Sequence, residues 1–94
     1  MRLSAHEIQT VRQVLYEVDP DGHIYLFGSR ADDEKKGGDI DLFFEASKVL
    51  DFKLKLALEQ RLSDECDTSV DLLVKNQGQE ETAIFVIARK GVLL

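Results

Sequence analysis

The sequence has one cysteine, one proline and no tryptophan among 94 residues, and its bases are outnumbered, with 12 Lys and Arg against 18 Asp and Glu. A lone Cys66 cannot close an internal disulfide. It also lacks a nearby His base, so an ordinary buried or half-buried thiol is expected instead of a nucleophile. His6 and His23 are far apart and have no Cys or acidic partners at zinc spacing. No apolar run approaches the roughly 20 residues that span a bilayer, and the opening MRLSAHEIQT lacks the apolar stretch of a secretory signal. No membrane association is expected, and a reducing cytoplasm fits. The net charge of -6 repels a phosphate backbone, and no Lys/Arg stripe with interleaved aromatics overrides it. Direct binding of DNA or RNA is therefore not expected; a small anion neutralised by metal, or a protein with basic surface, suits this charge better.

What is present reads as a single domain over residues 1–94, because 44% hydrophobic and 32% charged residues match a globular chain of this size. Ser4 and Glu7 stand at capping-box spacing, and Ile8, Val11, Leu15 and Val18 follow at helical intervals, predicting a helix from Ala5 to Glu17. The Asp19-Pro20-Asp21-Gly22 turn leads into a β-branched and aromatic strand, His23 to Phe27. Gly28-Ser29 ends it, and the charged stretch from Arg30 to Gly38 reads as a loop or short helical turn before a second strand, Asp39 to Glu45. The mixed-sign run Asp32, Asp33, Glu34, Lys35 and Lys36 is a hydrated loop whose place beside the strands could matter. Ser47 is a candidate N-cap for a helix ending near Asp64 to Cys66. Thr68 to Val74 alternates as a third strand, and Glu80 to Lys90 is a last helix with Gly91 beyond. The class is α/β (α+β) in the order αβ(loop)βαβα, with strands and helices sharing one core.

The chemistry sits in carboxylates. A strand's period of two puts Asp39 and Asp41 on one face and Ile40, Leu42 and Phe44 on the other. Their Cβ atoms then lie roughly 6 to 7 Å apart, which suits joint ligation of metal ions. In the third strand Val70, Leu72 and Val74 form the apolar face and Ser69 and Asp71 the other, so Asp71 joins the pair if the strands are neighbours. Three acids on an open face repel one another unless a cation sits among them, and hard oxygen ligands select Mg²⁺ or Mn²⁺. Gly28 lets the backbone approach a ligand closely, the Ser29 hydroxyl and successive N–H groups can cradle phosphate, and Arg30 is a charge available against it. Taken alone, Asp39 and Asp41 also read as the solvated face of an edge strand, and Gly28-Ser29 as a plain turn.

Together, Gly28-Ser29, nine further residues and then Asp39-Ile40-Asp41-Leu42, with Val70-Asp71-Leu72 downstream, resemble the signature of the DNA polymerase beta-type nucleotidyltransferase superfamily, and the length resembles its minimal (MNT) branch. The resemblance covers essentially the whole chain and implies a palm-like fold, a small mixed three-stranded sheet with helices packed on one face. It also implies that Gly28 and Ser29 bind the triphosphate of an NTP such as ATP, with Arg30 beside them, and that Asp39, Asp41 and Asp71 hold two Mg²⁺ ions and carry catalysis.

MNT proteins of this size are similar to the antitoxins of HEPN/MNT toxin-antitoxin pairs. That similarity implies transfer of AMP to a tyrosine of a HEPN ribonuclease, with a non-catalytic module that neutralises its toxin by binding as the alternative. Transfer to tRNA or an antibiotic would need a further substrate-binding domain, for which these residues leave no room. Many relatives carry Gly-Ser before the first acid, whereas this chain has Gly37-Gly38. Small size and an open acidic face also predict a homo- or hetero-oligomer.

Overall fold

A computed structural model describes residues 1–35 and 37–94. Lys36, a member of the mixed-sign run, lies outside the described residues. Helix α1 spans Ala5–Val18 and begins with the expected capping box: Ser4 Oγ accepts from Glu7 N at 3.0 Å, and Glu7 Oε1 accepts from Ser4 N at 2.8 Å. Strand β1, His23–Phe27, runs into a 3₁₀ turn at Gly28–Ala31, and strand β2 is Ile40–Glu45. Helix α2 is Phe52–Cys66, strand β3 Val70–Lys75, helix α3 Ala83–Arg89 and strand β4 Val92–Leu93.

The sheet is mixed, in the order β3-β2-β1-β4. β1 runs antiparallel to β2 and β4, whereas β2 and β3 are parallel, as a crossover through α2 requires. The predicted three strands thus become four. β4 has only two residues, too short for any periodicity, and it is fixed by pairing with Tyr25 and Leu26. Gly91 leads into it where a Cβ would run into the Leu26 carbonyl oxygen.

α1 and α2 cover one face of the sheet, burying Val11, Leu15, Leu58 and Leu62 against Ile24, Leu26, Leu42 and Phe44. The expectation of helices on one face does not hold for α3. Alternation sends Phe43 to the opposite side from Leu42 and Phe44, and α3 covers it there with Phe85 and Ala88. The Tyr25 and Phe43 rings stack at 5.7 Å and those of Phe43 and Phe85 at 5.5 Å. Arg89 closes this layer, donating to both Glu45 and Glu81.

Two further expectations move. Ser47 does not cap α2: its N–H and hydroxyl both donate to buried Asp19 at 2.6 Å, and Asp51 caps the helix by accepting from Leu54 N at 2.7 Å. α3 starts at Ala83 instead of Glu80, because Asn76 and Gln79 close a turn on each other and Glu81 turns toward Arg89. Phe52 and Ile87 are 71% and 60% exposed, which leaves apolar surface of the kind expected for an associating chain.

Candidate functional site

The site forms where β1 leaves the sheet and β2 enters it. In the register of the strands Phe27 stands opposite Asp41, and Asp41 opposite Asp71. The next row on the same face is Tyr25, Phe43 and Leu73. An acidic row therefore sits at the open end of the face, backed by an apolar row that α3 seals. Asp39 lies one residue before β2, exposed, and Asp71 is exposed while Asp41 is half-buried.

Asp41 is the electrostatic centre. Partial burial, the charges of Asp71 and Asp39, and a hydrogen bond shared with Asp71 push its carboxyl above the ordinary aspartate value of 3.8. Among the described residues no salt bridge joins Asp39, Asp41 or Asp71 to a base. The structure thus brings Asp41 and Asp71 into contact, with Asp39 acting on Asp41 through its charge. Among the described residues it does not gather three His, Cys, Asp or Glu side chains into a metal-holding group. The donors that are present, carboxylate oxygens with unrelieved negative charge, match a hard divalent cation in chemistry.

Gly28 stands directly against this pair. Its φ is +70°, and a Cβ there would fall inside contact distance of Asp41 Oδ2. At the other end of the loop Gly38, with φ +88°, lies against the Ser29 hydroxyl, where a side chain would collide. The Gly37-Gly38 departure from the family's Gly-Ser is thus matched by a conformation that favours glycine.

Arg30 faces the loop's own backbone. Its Nε donates to the Gly38 carbonyl at 3.1 Å and its Nη1 to the Arg2 carbonyl at 2.9 Å, with Glu7 at 3.8 Å. Sequence reasoning passed over Arg2, whose guanidinium also holds this loop, and Phe27 and Phe43, which border the acids. The aromatic pair was legible, because the same alternation that aligned Asp39 with Asp41 places Phe43 next on that face.

A sequence model of the family described as polymerase beta, nucleotidyltransferase matches residues 9–94. The chain belongs to this nucleotidyltransferase family.

Solved structures agree with that membership. A crystal structure of a toxin-antitoxin with AMP-PNP contains a chain 31% identical to this one, with a TM-score of 0.63, over 70% of this chain and 55% of that one. A mutant MntA–HpeT toxin-antitoxin complex matches 99% of this chain and 72% of its own at 26% identity and a TM-score of 0.74. A tri-AMPylated HEPN toxin from Shewanella oneidensis in complex with MNT antitoxin matches at 25% identity and a TM-score of 0.60, over 84% of this chain and 61% of that one. The nucleotidyltransferase chain thus spans little more than half the length of the first of these neighbours. No curated protein matches it significantly.

Proposed function

We propose that this nucleotidyltransferase-fold chain is an Mg²⁺-dependent adenylyltransferase that moves AMP from ATP to a tyrosine hydroxyl of a HEPN-domain toxin and so acts as its antitoxin. The observation that carries this reading is the in-register Asp41 and Asp71 pair, held beside the Gly28-Ser29 turn and joined to no base by a salt bridge among the described residues. The AMP-PNP complex and the tri-AMPylated HEPN toxin among the structural neighbours support the donor and the acceptor.

In this reading Gly28 and Ser29 receive the triphosphate, and Asp39, Asp41 and Asp71 hold the metal. When bound there, Mg²⁺, or Mn²⁺ in its place, would supply charge neutralisation for the transferred phosphoryl group. Gly28 brings the triphosphate turn within contact of Asp41, so donor and acids act as one unit. Asp71, on the exposed edge strand β3, is open to an incoming hydroxyl and suited to take its proton. Arg30, which donates to the Gly38 and Arg2 carbonyls beside the turn, is the positive charge nearest the phosphates in this reading.

Incubating the chain with Mg²⁺, each labelled NTP and the HEPN partner, followed by intact mass, tests the proposal. The expected result is AMP added to the partner and lost in Asp41→Asn. A second reading, a binding module that neutralises by docking alone, is favoured by the exposed apolar residues Ile84, Ile87 and Leu93. Asp39→Asn combined with Asp41→Asn separates the two, because a docking module keeps protecting against the toxin and an enzyme does not.

A further inference from the structure

The loop that connects the triphosphate turn to the acids is held from outside the site by the segment that precedes α1. Arg2 donates from Nη2 to the Ser29 carbonyl at 3.0 Å and to the Gly37 carbonyl at 2.9 Å, and from Nε to the Asp32 carbonyl at 3.2 Å. One planar guanidinium thus ties together the beginning, the middle and the end of the loop, a span that the forked geometry of arginine permits and a lysine ammonium does not. The attachment is reciprocal. Arg2 N donates to the Arg30 carbonyl at 2.7 Å, while Arg30 Nη1 donates back to the Arg2 carbonyl and Arg30 Nε to that of Gly38.

The orientation of the peptide groups gives this clasp a consequence for ligand binding. Across a trans peptide the C=O and N–H point in opposite directions. Holding the carbonyls of Gly37 and Gly38 on the arginine side therefore turns the N–H groups of Gly38 and Asp39 away from it, while the Arg30 N–H stays within the 3₁₀ turn. A charged donor on each carbonyl also polarises the peptide and strengthens its N–H as a donor. Amide groups fixed in this way, next to the Ser29 hydroxyl, form the kind of concavity that takes an anionic oxygen.

We infer that Arg2 is a positioning residue for the nucleotide: it never touches the ligand, but its three backbone contacts hold the Ser29 turn and the Gly37-Gly38 end of the loop in the arrangement that receives the triphosphate. This rests on the nucleotidyltransferase reading. It explains why a chain of net charge -6 keeps two arginines facing backbone carbonyls at this loop while Asp39, Asp41 and Asp71 form no salt bridge among the described residues.

The test compares the native chain with Arg2→Ala and Arg2→Lys. MgATP affinity is measured by titration calorimetry, hydrogen exchange at the Gly38 and Asp39 amides by NMR with MgATP bound, and the fold by circular dichroism. Both variants are expected to keep the native spectrum, to bind MgATP about tenfold more weakly or worse, and to exchange those two amides faster in the presence of MgATP. In a transfer assay the loss should appear in KM for the nucleotide more than in kcat. Native-like affinity in Arg2→Ala, or full rescue by Arg2→Lys, would overturn the inference, since the first removes the need for the clasp and the second reduces it to a surface charge. Failure of the native chain itself to bind MgATP would defeat the nucleotidyltransferase reading and this inference with it, and only that result appears in the native arm.

Discussion

Two aspartates lie at opposite corners of this small sheet and answer burial in opposite ways. Asp19, at the end of α1, is only 2% exposed. Burial alone would raise its pKa, but donation from the Ser47 hydroxyl and N–H and from the Asp21 N–H, with the charge of Lys48, holds it below the ordinary value. Asp41 is half-buried, and its desolvation, added to by the charges of Asp71 and Asp39, pushes it above the ordinary value because its neighbours are carboxylates and not donors. Burial therefore does not by itself set the direction in which an aspartate shifts. What separates the two is whether the surrounding chain supplies donors to the carboxylate, as at Asp19, or sets further carboxylates beside it, as at Asp41.

The largest expected effect breaks the comparison at its functional corner. Asp41→Asn or Asp71→Asn should lower nucleotidyl transfer on the order of 100-fold or more, measured as AMP added to the partner, with no loss of thermal stability in metal-free buffer. Asp19→Ala should do the reverse. It removes the charged acceptor of the Ser47 N–H and hydroxyl, a loss of about 2 kcal/mol, read as a lower urea midpoint at unchanged slope, while the folded fraction keeps its transfer rate. Loss of activity in Asp19→Ala beyond the unfolded fraction would show that the two corners are coupled.

A smaller effect sharpens the functional corner alone. Gly28→Ala and Gly37→Ala both place a side chain at positive φ, +70° and +60°, but only the first meets Asp41, while nothing lies within 4 Å of the second. The shared backbone strain is about 1–2 kcal/mol. Any excess in Gly28→Ala, measured by thermal unfolding, is the contact with the Asp41 carboxylate, and equal destabilisation would mean that Gly28 serves the turn and not the site.

This contrast also explains what the sequence made legible. The alternation in Asp39-Ile40-Asp41-Leu42 and in Val70-Asp71-Leu72 reports faces directly, so the pairing of Asp41 with Asp71 followed once β2 and β3 were neighbours. The capping box at Ser4 and Glu7 was equally local. Contacts fixed by distant segments left no such trace. Ser47 has the composition of a helix cap and is taken by Asp19 from 28 residues away. β4 exists through its partner strand alone, and Arg2 reads as an ordinary charged residue until the loop folds against it. α3 was legible as a helix, but its face was not, because seven residues of mixed exposure do not say which side of a sheet they will cover.

The smallest effect sets the two aspartates against each other in one titration. Asp19 has a folded value below the ordinary 3.8, so the unfolded chain takes up its proton first; its stabilisation is complete above 3.8 and is lost as pH falls through the folded value. Asp41 has a folded value above 3.8, so the native state takes up its proton first, and stability rises as pH falls from above that value toward 3.8. In metal-free buffer Asp41→Asn should therefore melt slightly higher than the native chain near neutrality, and the gap should narrow toward pH ~4. Asp19→Asn should match the native trend in that range and diverge only below it. The Asp41 difference should amount to a few degrees at most, since about 1 kcal/mol moves the midpoint of a domain this size by roughly 4–8 °C. Saturating Mg²⁺ should reverse its sign, because a cation among the acids stabilises the native chain more than a variant lacking one of them. A gap that stays constant with pH and is indifferent to Mg²⁺ would make Asp41 an ordinary surface carboxylate and remove the contrast with Asp19.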